Sequence, residues 1–245
     1  MERKPYIWSD LFKGNWEIFR DAVRNPETVI VYDIDGILAN SAEKVLQRFS
    51  DENGIAADPI KINGWGYLTD LAKAAGLPQE KVNHAEDFWY DPQLLLTVRR
   101  HLYIKPVVLK TIHLYGSERN YVLTSRNPQF KDLTLKWFAR EFPEIPFENI
   151  LIRNSKNIDS ADFKAKCLGR LAETAPWVVF IDDAPDFIKS ALDLKINNLV
   201  AVNIPQGMVA PPDFRNDRLV VIKRYPENLQ AMYPLLDALE RVAQS

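Results

Sequence analysis

Val29-Ile30-Val31-Tyr32-Asp33-Ile34-Asp35-Gly36-Ile37-Leu38-Ala39 is the stretch around which the rest of the chain is ordered. Its first four residues are β-branched or aromatic, the pattern of a strand covered on both faces inside a parallel sheet. The run ends where two carboxylates appear one residue apart with a glycine behind them. Unpaired charges are too costly to bury. Asp33 and Asp35 are therefore expected to project from the strand's carboxyl end, into the crevice where open α/β sheets gather their chemistry. A solvated strand end with a turn glycine is the plainer reading of the same residues, and the stretch alone does not choose. A calcium-binding EF-hand loop is excluded. That loop needs glycine at its sixth position and a bidentate Glu at its twelfth, whereas Gly36 is fourth and Lys44 twelfth from Asp33.

Upstream, Phe12, Trp16, Phe19 and Val23 recur at helical spacing behind a capping Ser9, and Asn25-Pro26 closes that helix. Downstream, Asn40 or Ser41 caps a helix with Val45, Leu46 and Phe49 facing inward. From about Asp51 to Lys105 the texture changes to short helical pieces broken by Gly54, Gly64, Gly66, Gly76 and Pro78, with no strand between them. Beyond Pro106, a helix with Val108, Leu109, Ile112 and Tyr115 on its buried face leads into alternating strands and helices. The strands fall over 121–124, 150–152, 177–181 and 199–202. A Pro-rich loop and a last helix over 234–242 end the chain.

Apolar strands with polar ends, alternating with helices, predict an α/β fold, a Rossmann-like doubly wound parallel sheet with a small helical cap inserted after the first strand. The expected division is an N-terminal helical extension at 1–28, a core at 29–40 and 106–225, the cap at 41–105, and a C-terminal helix at 226–245.

With 245 residues, 47% of them hydrophobic and 26% charged, the chain can bury a substantial core. Lys plus Arg number 31 against 33 for Asp plus Glu, a net charge of −2, so no overall field draws it to nucleic acid or a membrane. A local basic patch stays open. One cysteine, Cys167, excludes an internal disulfide framework and fits a reducing compartment. No segment has the length of a signal peptide's apolar core or a membrane span, so the reading is a cytoplasmic protein with no membrane partner. The sequence leaves a homodimer open.

Asp-X-Asp-Gly at the end of a hydrophobic strand resembles the first motif of the haloacid dehalogenase-like (HAD) phosphohydrolases. Three further motifs follow in that superfamily's order. Thr124, with Ser125 and Arg126 behind it, ends a strand. Lys164 stands early in a helix, with Lys166 and Lys156 as competitors. Asp182-Asp183 ends another strand, and Asp186 lies one turn on. Within the superfamily, the chain resembles the cytosolic and mitochondrial 5′(3′)-deoxyribonucleotidases and their bacterial and phage relatives, the C-type 5′-nucleotidases. The residues that carry this are the Asp33 to Ala39 opening, Gly64-Trp65, Phe88-Trp89, Leu123-Thr124-Ser125-Arg126, Lys136-Trp137, Phe142-Pro143-Glu144 and Ile181-Asp182-Asp183. The likeness runs roughly from Val29 to Val202. Ile37 stands where many phosphatases have Thr or Val.

The resemblance implies a phosphatase for nucleoside monophosphates whose helical insertion closes over the site. A phosphate monoester is a dianion, so an attacking carboxylate is repelled unless that charge is neutralised. Mg²⁺ is the hard, oxygen-loving cation for the task. The metal set is Asp33, Asp35 through its carbonyl, and Asp182 or Asp183. Lys164, Thr124 and Ser125 are the phosphate-binding candidates. Asp33 is the nucleophile, and Asp35 the general acid and then base.

Arg126, Trp65 and Phe88 are the substrate-binding candidates. The insertion's aromatics, Trp65, Tyr67, Phe88, Trp89 and Tyr90, read either as a stacking surface for a base or as the insertion's own core. Ser125 also reads as a turn residue and Asp186 as a helix cap. His84, His101 and His113 lack metal-ligand spacing and read as structural. Rival functions are a polynucleotide 3′-phosphatase, which would want a basic groove, a sugar-phosphate phosphatase, and a catalytically silent HAD-fold binding or regulatory protein. The last predicts loss of Asp33, Asp35 or the Asp182-Asp183 pair, and all are present.

Overall fold

The computed structural model describes residues 12–64, 66–101, 104–205, 207, 209–210, 212–222, 235 and 239–240. Among these lie seven strands of one sheet: β1 (Phe12–Gly14), β2 (Val29–Tyr32), β3 (Asn120–Thr124), β4 (Ile150–Ile152), β5 (Val178–Asp182), β6 (Leu199–Asn203) and β7 (Leu219–Ile222). Their order is β1-β7-β6-β5-β2-β3-β4, parallel throughout except where β1 pairs antiparallel with β7. The chain winds outward from β2 through β3 to β4, then returns to β5 on the other side of β2. The carboxyl ends of β2 and β5 therefore meet at the reversal of winding, where an open α/β sheet leaves a crevice.

Every residue of β2 is buried, and alternation decides which layer each supports. Ile30 and Tyr32 join one apolar cluster with Phe19, Trp137 and Phe138. Val29 and Val31 join another with Leu168, Phe180 and Ile188. The helices Trp16–Arg24, Ile104–Tyr115 and Lys131–Glu141 cover the first face, and Ser160–Thr174 and Pro185–Asp193 the second. Fully burying one such aliphatic or aromatic side chain contributes roughly 1.5–3 kcal/mol.

Four details differ from the sequence reading. Phe12 lies in β1 rather than in a helix; Ser9 lies outside the described residues. The helix starts only at Trp16, capped by the Asn15 side chain, which accepts the Ile18 N–H at 3.3 Å. Gly14 is the reason. At φ 107° it takes a backbone that L side chains avoid, and a Cβ there would stand 1.9 Å from the Leu219 carbonyl oxygen. Second, Leu219–Ile222 is a strand where a loop is expected. Third, Leu109 is 43% exposed, and Ile104, Val107, Val108, Thr111 and Tyr115 form the buried face of their helix. Fourth, the sheet is not wholly parallel. The expected helix over 234–242 lies largely outside the described residues, of which Leu235 and Leu239 are helical and buried.

After β2 the chain leaves the sheet. The helices Ser41–Asn53, Tyr67–Ala74, Gln79–Asn83 and Pro92–Thr97, with two 3₁₀ turns, pack around Val45, Phe49, Leu68, Ala72 and Val82 in an apolar cluster of their own. No strand occurs among the described residues of this insertion. Its outgoing and returning limbs run antiparallel. Ala39 bridges Arg100, the Asn40 N–H donates to Arg99 O at 2.8 Å, and the His101 N–H donates to Leu38 O at 3.0 Å. The returning limb is also held by the Lys131–Glu141 helix. Arg140 donates to Leu96 O at 2.6 Å and Val98 O at 3.0 Å, and the Trp137 indole donates to Val98 O at 2.8 Å.

Candidate active site

Asp33 is the residue after β2, and its N–H continues the ladder to Ile181 O at 2.9 Å. The loop then tightens. Ile34 O accepts N–H groups from Leu38 at 2.9 Å and Ala39 at 2.7 Å, and Gly36 makes the turn at φ 90°. This curl returns the chain to the sheet end within a few residues, leaving Asp33 buried and the Asp35 side chain 41% exposed.

Lys164 meets Asp33 from the Ser160–Thr174 helix, whose N-cap Asp159 accepts the Ala161 and Asp162 N–H groups at 2.8 and 3.1 Å. With 1% of its surface exposed, its ammonium donates to Asp33 Oδ1 and Asp182 Oδ2, each at 2.6 Å. The Phe187 ring lies 4.2 Å from the ammonium, measured to the ring centroid. Burial works to discharge Lys164, but Asp182 and Asp33 outweigh it and hold the amine charged well above the usual range. Lys166 and Lys156 are exposed, so the structure brings Lys164 alone of the three to the carboxylates.

Asp182 ends β5 with no exposed surface, and its Oδ1 accepts the Ala184 N–H at 2.8 Å. Asp33, Asp182 and the half-buried Asp183 present oxygens all within 4.8 Å of one another, the one such group among the described residues. Burial pushes the Asp33 carboxyl up, Lys164 pulls it down, and the charges of Asp182 and Asp35 add to burial, leaving it at about 7. Two carboxylates on one ammonium, with Asp183 grouped beside them, leave negative charge in excess, in a set of hard oxygen donors. That chemistry fits a small divalent cation such as Mg²⁺.

Thr124, buried at the end of β3, accepts the Arg126 N–H on its hydroxyl at 3.2 Å, and Ser125 follows half-buried at the same sheet edge. The Arg126 guanidinium pairs with both oxygens of Asp35, at 2.6 and 2.7 Å. Burial raises the Asp35 carboxyl, but Arg126 and the Ser41 hydroxyl prevail and hold it below the usual carboxylate range.

Of the remaining candidates, Phe88 packs edge-on against Phe49, centroids 5.4 Å apart, inside the insertion's own cluster. Trp65 lies outside the described residues. Asp186 is exposed on the first turn of its helix and is not one of the three grouped carboxylates. His84 pairs with Asp87 at 2.7 Å. Two contributors escape sequence reasoning. Ser41 reads there as a helix cap, and Asn203 falls just past the strand read at 199–202 and receives no role.

Residues 27–168 match the family described as 5′ nucleotidase, deoxy (pyrimidine), cytosolic type C protein, NT5C. The match spans more than half of the chain. The chain belongs to the NT5C family. As a member of this HAD-like nucleotidase family it is a phosphoric monoester hydrolase. No curated protein matches it.

Solved structures similar to this NT5C-family chain include protein tyrosine kinase A of Mycobacterium tuberculosis. That protein is 18% identical, with 86% of this chain and 98% of that one covered and a TM-score of 0.50. A haloacid dehalogenase-like hydrolase of Streptococcus pneumoniae is 16% identical, with 85% and 100% covered and a TM-score of 0.48. CbbY of Rhodobacter sphaeroides, solved with phosphate, is 15% identical, with 84% and 96% covered and a TM-score of 0.49. At such identities the likeness concerns the fold alone, and of these three only the kinase reaches a similarity that supports it. No helix among the described residues is long and apolar enough to cross a membrane.

Proposed function

We propose that this NT5C-family enzyme hydrolyses nucleoside monophosphates in the cytoplasm through an aspartyl-phosphate on Asp33, with Mg²⁺ as its cofactor. The observation that carries the reading is the buried Lys164 ammonium, 2.6 Å from both Asp33 and Asp182 where β2 and β5 end. An ammonium there meets a phosphate dianion beside the carboxylate that attacks it. Bound Mg²⁺ supplies neutralising charge for the phosphate oxygens. Asp33, Asp183 and the Asp35 carbonyl would hold it, because both Asp182 oxygens already accept hydrogen bonds.

The chain's own groups perform the remaining steps. Thr124, Ser125 and Lys164 bind the equatorial oxygens. Asp33 attacks phosphorus in line, the ester P–O bond breaks, and the leaving oxygen takes a proton from Asp35. Water then attacks the phosphorus and gives its proton to Asp35, the bond to Asp33 breaks, and inorganic phosphate departs. Arg126 holds Asp35 ionised at rest, so before Asp35 acts as an acid it must loosen from Arg126 and take up a proton from solvent. The insertion at 41–105, with its separate apolar cluster, serves as the cap over this crevice, and the core is 29–40 with 106–225.

The test is phosphate release with Mg²⁺ from ribo- and deoxyribonucleoside 5′- and 3′-monophosphates, sugar phosphates and a 3′-phosphorylated oligonucleotide. Turnover of a mononucleotide that EDTA and Asp33→Asn abolish supports the reading. Turnover of the oligonucleotide or a sugar phosphate alone transfers the enzyme to that substrate class. Activity that survives Asp33→Asn removes the mechanism.

A further inference from the structure

We infer that Asn203 is a positioning residue that makes Asp182 and Asp183 converge, an inference resting on the reading of Asp33 and Asp183 as cation ligands with Asp182 grouped beside them. In an extended strand, consecutive side chains point to opposite faces. Were β5 to run on straight, Asp182 and Asp183 would aim apart. Their oxygens nevertheless share a 4.8 Å group with Asp33, so the chain turns between them.

Asn203 holds that turn. It is the last residue of β6, in register with Asp182, and has no exposed surface. Its Nδ2 donates to Asp182 O at 3.2 Å and to Asp183 O at 3.1 Å, so one amide group gathers two successive carbonyls. The Ile204 N–H adds a bond to Asp182 O at 3.0 Å, and the Ala184 N–H one to the Asp182 carboxylate. With both backbone carbonyls drawn toward β6, the two carboxylates are free to aim together at Asp33. Chemistry fixes the orientation of the carboxamide. Reversed, it would set Oδ1 against two carbonyl oxygens, and Oδ1 has no hydrogen-bond partner among the described residues.

Asn149 provides the internal control. It too is a buried asparagine whose Nδ2 gathers loop carbonyls, those of Ser117, Glu118 and Asn120 at 3.1–3.2 Å. It stands beside the amino-terminal end of β4, across the sheet from the acids. Loss of either amide removes its hydrogen bonds to backbone carbonyls, although Asp182 O keeps the Ile204 N–H, so both changes should lower stability. The effects on cation binding differ.

The experiment measures Mn²⁺ binding to the full chain by electron paramagnetic resonance without substrate, together with the metal-free melting temperature. The variants are Asn203→Leu, Asn203→Thr, whose hydroxyl keeps one donor, and Asn149→Leu. The expected result is Mn²⁺ affinity reduced about tenfold or more in Asn203→Leu, the range for groups that orient metal ligands, with a smaller loss in Asn203→Thr. Asn149→Leu should melt earlier with wild-type affinity. If Asn203→Leu does not fold, Asn203→Thr decides. Unchanged affinity in the folded Asn203 variants, equal weakening in Asn149→Leu, or no Mn²⁺ bound by the wild type would overturn the inference. No substrate is involved, so inactivity toward nucleotides would remove the proposed function and leave this result standing.

Discussion

Arg126 and Asp35 form a two-pronged ion pair at 2.6 and 2.7 Å, joining the loop after β3 to the loop after β2 across the mouth of the crevice. Arg126→Met removes the fork and leaves Asp35 to its half-exposed surroundings. Because the pair holds the Asp35 carboxyl low, its contribution to stability is present above the unfolded carboxylate range and lost as pH falls through the lowered value. The variant should therefore melt below wild type at neutral pH, and the gap should narrow on acidification. Melting temperatures across a pH series check this. Arg126→Lys, which cannot make the planar fork, should behave like Arg126→Met.

Asp33 titrates the other way. Its folded value of about 7 lies above the ordinary 3.8. A carboxyl raised in the folded state contributes stability below its unfolded value and loses it as pH climbs through the folded one. In the metal-free protein this group's contribution therefore falls as pH rises from about 4 to about 7, and the full deficit persists above that. Asp33→Asn, which keeps the shape without the charge, should melt above wild type at pH 7.5 and converge with it near pH 4. Scanning calorimetry in EDTA reads the difference, and a variant no more stable than wild type at pH 7.5 would contradict the account.

Removal of the Lys164 ammonium should be the costliest single change at the site. Lys164→Met leaves Asp33 and Asp182 facing each other without a cation, and breaking a buried ion pair by removing one partner costs about 3–5 kcal/mol. Urea denaturation should show that loss at neutral pH in EDTA. Mg²⁺ should restore part of it by taking over the neutralising charge.

The two acids of β5 should separate by phenotype. Asp182→Asn disturbs a fully buried oxygen pair already bonded to Lys164 and the Ala184 N–H, so it should cost folding stability first. Asp183→Asn touches a half-buried group and should weaken Mg²⁺ binding about 10-fold or more with little change in melting temperature. Isothermal titration and thermal melts on the same samples distinguish the two.

The elements that identify this protein were legible because each has a local signature. A four-residue apolar run stopping at Asp33 marks β2, and the strand ending at Asp182 marks β5. A lysine early in a helix stood out even with Lys166 two residues away, although only burial distinguishes the two. β1 and β7 were harder. Phe12 fits a helical period with Trp16 and Phe19, and it is the close approach of Gly14 to Leu219 that selects a strand. Such a contact has no trace in local spacing. Asn203 and Ser41 were invisible for a related reason. A polar residue after an apolar strand and a hydroxyl at a helix start are ordinary, and their roles come from partners brought close by the sheet. Arg126 was singled out, but its engagement with Asp35 could not be read from the order of residues.

The neighbouring limbs of the insertion have a consequence for how the family can change. Because Ala39 and Arg100 sit opposite each other, everything between them begins and ends at one point on the sheet's rim. A short turn can close that gap, and so can an unrelated module, without moving β2 or the residues that extend from it. On the proposed division of labour, the insertion and the sheet that carries Asp33 could thus change at different rates, joined at these two adjacent limbs and at the bonds from the Lys131–Glu141 helix to the returning one.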